Sequence, residues 1–136
     1  MSHAFLDTSV LVQFLVGERG DLTERATELL DNLSDRDELL HISTTVILET
    51  VYVLHGTYGV PRDVVAETLT RFIGLPGIVL PEAGDVIDAF NLWADQSPLS
   101  FADCYHLVLA KSLGLSRIYS FDKKMNRYPE IERVEP

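Results

Sequence analysis

Short apolar runs that stop at a charged or turn residue alternate along this chain with stretches whose apolar positions recur every three or four residues. The first pattern predicts buried strands and the second predicts amphipathic helices. Ala4-Phe5-Leu6 is the first run, closed by Asp7. Val10, Leu11, Phe14 and Leu15 follow at helical spacing, and Gly17 and Gly20 end that helix. Residues 21–34 read as a second helix, with Leu22, Ala26, Leu29, Leu30 and Leu33 on its apolar face. Leu39 to Ile42 is a strand, and Thr44 to Tyr58 a strongly apolar helix closed by Gly59. Pro61 opens a helix that runs to about Phe72, because proline suits a first helical turn. Ile78 to Leu80 is a strand, Ala83 to Asp95 a helix stopped before Pro98, and Ser100 to Leu113 a helix followed by Gly114. Arg117 to Phe121 is a strand, residues 123–127 a helical turn, and Ile131 to Val134 a last short strand. Strands alternating with helices imply an α/β sandwich with a mostly parallel sheet and helices on both faces.

The length of 136 residues is that of one domain, and no repeat, low-complexity tract or Pro/Gly-rich linker marks a boundary. Hydrophobic residues make up 46 % and charged residues 24 %, which excludes a disordered chain. Cys104 is the single cysteine, so an intrachain disulfide and a multi-cysteine zinc site are both excluded. No apolar run approaches the roughly 20 residues that span a bilayer. No Lys or Arg precedes the first apolar run, which argues against a secretory signal, so a soluble cytoplasmic protein is expected. The net charge is −10, which argues against broad binding to polyanions. The charge is uneven, however. Residues 18–38 hold eight acids against three bases, while residues 111–127 hold five bases against one acid.

In open parallel sheets, sites lie at the carboxyl ends of strands. Asp7 and Asp122 stand there, each directly after a predicted strand. Each also has a plainer reading, Asp7 as a helix cap and Asp122 as a turn former. Glu49 lies inside the helix 44–58 with Val46, Tyr52 and Val53 as helical neighbours, so it is expected to be partly desolvated. An unpaired carboxylate there costs several kcal/mol in rough terms, and either a metal or a salt-bridge partner offsets that cost. Asp103 has Leu99 and Leu107 four positions either way, yet Ser100-x-x-Asp103 also resembles a capping box. Taken together, four carboxylates suit a hard divalent cation, Mg²⁺ or Mn²⁺, that activates water against a phosphodiester.

Phe5-Leu6-Asp7-Thr8-Ser9, Glu49, Phe101-Ala102-Asp103-Cys104-Tyr105-His106 and Ser120-Phe121-Asp122-Lys123-Lys124-Met125 together resemble the PIN domain family, including its small VapC-type toxin ribonucleases. The resemblance covers essentially the whole chain. It implies one domain over residues 1–136, a three-layer α/β/α sandwich with a central mostly parallel sheet. It implies that Asp7, Glu49, Asp103 and Asp122 gather around Mg²⁺ or Mn²⁺ and that RNA is cut to leave a 5′-phosphate and a 3′-hydroxyl. Asp7 and Asp103 would be direct ligands, Glu49 a ligand or water-orienting group, and Asp122 a group acting through water. Thr8, Ser9 and Ser120 match positions that hold carboxylates or phosphate in this family. A VapB-like antitoxin that wraps the toxin, and a homodimer formed through the early helices, are further implications.

Lys123, Lys124 and Arg127 adjoin Asp122 and either steer RNA phosphates or form a solvated turn. Cys104 reads as packing, as do Phe90, Leu92 and Trp93. Competing functions are a housekeeping RNA-processing nuclease, a non-cleaving RNA- or protein-binding scaffold, and a phosphate-transfer enzyme. A missing acid would favour the scaffold, and none is missing. A dehalogenase-type phosphatase needs a second Asp two positions after the first, where Ser9 stands.

Overall fold

Ser2–Phe5 forms β1, and Leu6 extends its line by donating its N–H to the His41 carbonyl at 2.9 Å. The structure, a computed structural model, describes residues 1–18, 20–95 and 98–136. They form two compact units, Met1–Pro81 and Glu82–Pro136.

In the first unit β1 pairs with β2 (Glu38–His41), which pairs with β3 (Ile78–Val79), and both pairings are parallel. Parallel neighbours need long crossovers. Here α1 (Thr8–Val16) and α2 (Asp21–Asp31) link β1 to β2, while α3 (Thr44–Val51) and α4 (Arg62–Ile73) link β2 to β3. Leu6, Leu11, Leu40, Ile47, Val65 and Leu69 are buried as the core of this unit. The apolar face of α2 is narrower than its sequence predicts. Ala26 and Leu30 are buried, but Leu22 is 61 % exposed, because its first-turn position stands at the rim of a groove lined by Val10, Gln13 and Arg25. The helix 44–58 is also not uniform, since Tyr52–Thr57 is π-helical. Just upstream the Thr50 hydroxyl donates to the Val46 carbonyl at 2.7 Å, a bond that loosens the normal ladder. Before β3 the backbone at Gly77 takes φ +93°, and a Cβ there would stand 3.1 Å from the Leu33 side chain, so the turn requires glycine.

In the second unit α5 (Ala83–Asp95) and α6 (Phe101–Ser112) precede β4 (Arg117–Tyr119), a 3₁₀ turn (Lys123–Arg127) and β5 (Glu132–Val134). The expected stop of α5 before Pro98 falls on Gln96 and Ser97, outside the described residues. β4 and β5 pair in parallel, so among the described residues every strand pairing is parallel, as the alternating pattern requires. Phe90, Trp93 and Phe101 form an aromatic centre. Phe90 and Phe101 lie 4.5 Å apart by ring centroids, and Trp93 meets Phe101 edge-on at 5.9 Å. Cys104 is fully buried, as a packing residue would be. Among the described residues no helix is long and apolar enough to cross a membrane.

At the surface of this unit the Lys111 ammonium pairs with the Glu130 carboxylate, which also accepts the Tyr128 hydroxyl at 3.0 Å. Lys111 first, and then Tyr128, hold the Glu130 carboxyl below the ordinary 4.5. Glu130 in turn raises Lys111 above 10.5. A depressed carboxylate contributes stability above its unfolded value and loses it as pH falls through the folded value, while a raised lysine loses its share as pH rises through its own. The pair therefore acts across the neutral range, weakly, because water screens it. Glu130→Gln is expected to lower the melting temperature slightly at pH 7, and the difference should shrink as the pH falls below 4.5. A difference unchanged at acid pH would assign it to packing instead.

Candidate metal centre

Ser2, His3 and Phe5 of β1 are exposed, not buried as the apolar run predicted, and Leu6 is the buried residue of the run. Asp7 stands two positions after β1, where the chain turns into α1. It is the N-cap of that helix, and its Oδ2 accepts the Ser9 N–H at 3.0 Å and the Ser9 hydroxyl at 2.6 Å. The Ser9 hydroxyl, then the Ser9 N–H, hold the Asp7 carboxyl below its ordinary 3.8. It is therefore an anion at neutral pH, as a cation ligand must be. Thr8 is the next residue, and its hydroxyl donates to Glu49 Oε1 at 3.1 Å. This bond ties the sixth residue of α3 to the segment carrying Asp7, so two carboxylates share the carboxyl edge of the first sheet.

Glu49 differs from the sequence expectation in one respect. It is exposed, not partly desolvated. The buried side of α3 is formed by Val46, Ile47, Thr50 and Val51, while Thr45 and Tyr52 lie exposed beside Glu49. Neighbours at helical spacing share a helix side, but only one of those expected around Glu49, Val46, turns out buried.

In the second unit Asp103 is the third residue of α6 and half-buried. It forms the capping box foreseen from the sequence. Its N–H donates to Ser100 Oγ at 3.1 Å, and its Oδ2 accepts the Ser100 N–H at 3.3 Å. Asp122, also half-buried, caps the 3₁₀ turn by accepting the Lys124 N–H at 3.0 Å, while its own N–H donates to Ser120 Oγ at 3.0 Å. At Asp7, Asp103 and Asp122 the plainer capping role read from the sequence is thus present in the structure. Each cap holds one oxygen and sets the direction of the carboxylate. Arg133 was not singled out from the sequence. It donates to the Ser120 carbonyl at 2.9 Å and to Asn126 Oδ1 at 3.2 Å, bracing the segment that carries Asp122. No local pattern announces it, because it reaches this segment only through the pairing of β4 with β5.

None of the four acids forms an ion pair with a described Lys or Arg. Carboxylate and hydroxyl oxygens without a neutralising cation are of the donor type that a hard divalent ion such as Mg²⁺ or Mn²⁺ takes. Among the described residues no three His, Cys, Asp or Glu stand together closely enough to hold a metal. The part of the set that the structure brings together is Asp7 with Glu49, through Thr8.

The model of the PIN domain family matches residues 4–131. A relative named VapC ribonuclease, from Aquifex aeolicus (strain VF5), is 28 % identical over 122 residues, which covers 90 % of this chain and 89 % of the relative. The crystal structure of VapC20, a sarcin–ricin loop cleaving toxin of Mycobacterium tuberculosis, aligns over 98 % of this chain and 99 % of its own, at 21 % identity and a TM-score of 0.41. Because the family model spans all but the first three and last five residues and includes all four acids, this chain belongs to the PIN domain family.

Proposed function

We propose that this chain is a divalent-metal-dependent endoribonuclease, a single domain over residues 1–136, and the toxin of a cytoplasmic toxin–antitoxin pair. The observation that carries this reading is the Asp7–Thr8–Glu49 arrangement at the carboxyl edge of the first sheet, in a member of the PIN domain family. A relative matched over 90 % of the chain and named VapC ribonuclease supports both the substrate and the toxin role.

Asp7 and Asp103 would hold the ion directly, Glu49 would ligate or orient water, and Asp122 would act through water. Mg²⁺ or Mn²⁺ bound there would supply an activated water and neutralise charge on the phosphate. Ser9 keeps Asp7 ionised and aimed, and Thr8 occupies one oxygen of Glu49. The other Glu49 oxygen would be left to ligate the ion or to orient water. Ser120 fixes the backbone at Asp122, while Lys123 and Lys124 hold substrate phosphate. The products would carry a 5′-phosphate and a 3′-hydroxyl. The partners would be RNA, a VapB-like antitoxin and a second copy of the chain meeting it through α1 and α2.

The test is cleavage of end-labelled total RNA by protein freed of antitoxin, with Mg²⁺ or Mn²⁺ and with EDTA. Cutting with either metal, its loss in chelator and its return with excess metal are expected. A folded protein that cuts under none of these conditions would overturn the nuclease and favour a binding scaffold.

A further inference from the structure

Arg133 is the middle residue of β5, yet its side chain is only 12 % exposed. A cation withdrawn from water is costly unless a counter-charge and hydrogen bonds compensate it. Arg133 has both. Its Nη1 donates to Glu135 Oε1 at 2.8 Å and to the Ser120 carbonyl at 2.9 Å, and its Nε donates to Asn126 Oδ1 at 3.2 Å. The Glu135 carboxylate balances its charge, so toward Ser120 and Asn126 the guanidinium acts through directed bonds. A planar guanidinium holds its donors in a fixed fork, which a lysine ammonium on a flexible stem does not.

Ser120 and Asn126 are the two ends of the segment that carries Asp122. Inside it the Asp122 N–H donates to Ser120 Oγ at 3.0 Å, its carbonyl accepts the Met125 N–H at 3.1 Å, and its Oδ1 accepts the Lys124 N–H at 3.0 Å. These bonds are local and give the segment its internal shape. They do not fix how the segment sits on the strands. The Ser120 N–H bonds the Val134 carbonyl at 3.1 Å, so strand pairing holds the entry. Among the described residues no strand pairing reaches the exit, where the chain has entered the 3₁₀ turn. Met125 is buried there, but apolar packing has no preferred bond direction. The directed bond at the exit is the one from Arg133 to Asn126.

We propose that Arg133 is a positioning residue, whose guanidinium ties both ends of the segment 120–126 to β5 and thereby sets the direction of Asp122 Oδ2, the oxygen that Lys124 does not engage. A carboxylate held in one direction loses less freedom when it meets an ion or its water, so it holds metal more tightly. The proposal rests on the reading of Asp122 as a member of the metal centre.

The test begins with the metal-free protein. Arg133→Met keeps an apolar stem in place and removes the donors. Amide hydrogen exchange followed by NMR should be about tenfold faster at Asp122 and Lys124 in this variant, and unchanged in α5 and α6. Calorimetric titration with Mn²⁺ should then give a dissociation constant about tenfold above that of the wild type. Arg133→Lys should behave like the methionine variant, because one ammonium does not reproduce the fork. Asn126→Ala removes one anchor at an exposed position and should shift both readouts the same way by less, so it carries the comparison if Arg133→Met fails to fold. Unchanged exchange at Asp122 and Lys124 would overturn the proposal. So would faster exchange with an unchanged Mn²⁺ affinity, since Arg133 would then be a structural brace alone. Full recovery in Arg133→Lys would overturn it too, because charge and not the fork would be what counts. A wild-type protein that binds Mn²⁺ with this dependence on Arg133 and cuts no RNA would remove the nuclease and keep this proposal. One that binds no Mn²⁺ would remove the metal centre and this role of Arg133 together.

Discussion

Asp7→Asn is expected to lower metal-dependent RNA cleavage about a thousandfold while leaving the fold and its melting temperature nearly unchanged. The two halves of that expectation come from the two tasks of one side chain. As a helix cap, Asp7 accepts the Ser9 N–H and hydroxyl. Asparagine caps about as well as aspartate, so the Asn carbonyl can take over these bonds at little cost. As a ligand, however, the amide offers no charge. The loss of a carboxylate from a divalent site that neutralises a phosphodiester amounts to several kcal/mol at the transition state, and about 4 kcal/mol is a thousandfold in rate. Single-turnover cleavage with saturating Mn²⁺, read beside a thermal melt, separates the two tasks. A variant that cuts normally would remove Asp7 from the chemistry and leave it a cap alone. A variant that fails to fold would show that Asn does not replace the cap, and Asp7→Ser, which retains capping and lacks charge, would then carry the comparison.

Phe90→Ala should destabilise the protein by about 3–5 kcal/mol, the usual cost of truncating a buried phenylalanine. Phe90 is fully buried, with its ring 4.5 Å from that of Phe101 and 6.4 Å from that of Trp93. Removal of the ring takes away burial and leaves a cavity between two rigid aromatic neighbours, which have few rotamers with which to refill it. For a chain of this length the loss corresponds to a fall in melting temperature of roughly 10–20 °C. Urea unfolding followed by circular dichroism measures it. Phe90→Leu should cost less, because most of the volume remains. A loss below about 1 kcal/mol for the alanine variant would show that the aromatic cluster does not hold the second unit together.

Much of the fold was legible because each element carries a local pattern and local stop signals of its own. Ala4 to Leu6, Leu39 to Ile42 and Ile78 to Leu80 read as strands, and each lies on or beside an observed strand. Pro61 and the Ser100–Asp103 pair announced helix starts that the structure contains. The capping positions of Asp7, Asp103 and Asp122 were legible too, since strand ends and helix caps are local features. Each of the three accepts a backbone N–H within three residues of its own position.

The exposure of these groups was less legible. Periodicity says which residues share a helix side but not how far a neighbouring element covers that side. Leu22 and Glu49 therefore came out more exposed than their patterns predicted. The π-helical stretch Tyr52–Thr57 left no signature, because its hydrogen bonds depend on how the helix is held at both ends.

By itself the sequence determined the alternation of parallel strands and helices, the caps, and the carboxylates that follow the strands. These depend on side-chain chemistry and on neighbours within a turn or two. Only the tertiary structure decided that Thr8 reaches Glu49 across 41 positions, that Arg133 braces Ser120, and that, among the described residues, the basic side chains without a partner all fall within residues 117–127. Each of these turns on which distant residues packing brings within hydrogen-bond or ion-pair range, and the meeting of segments far apart along the chain is not written in the pattern of either one.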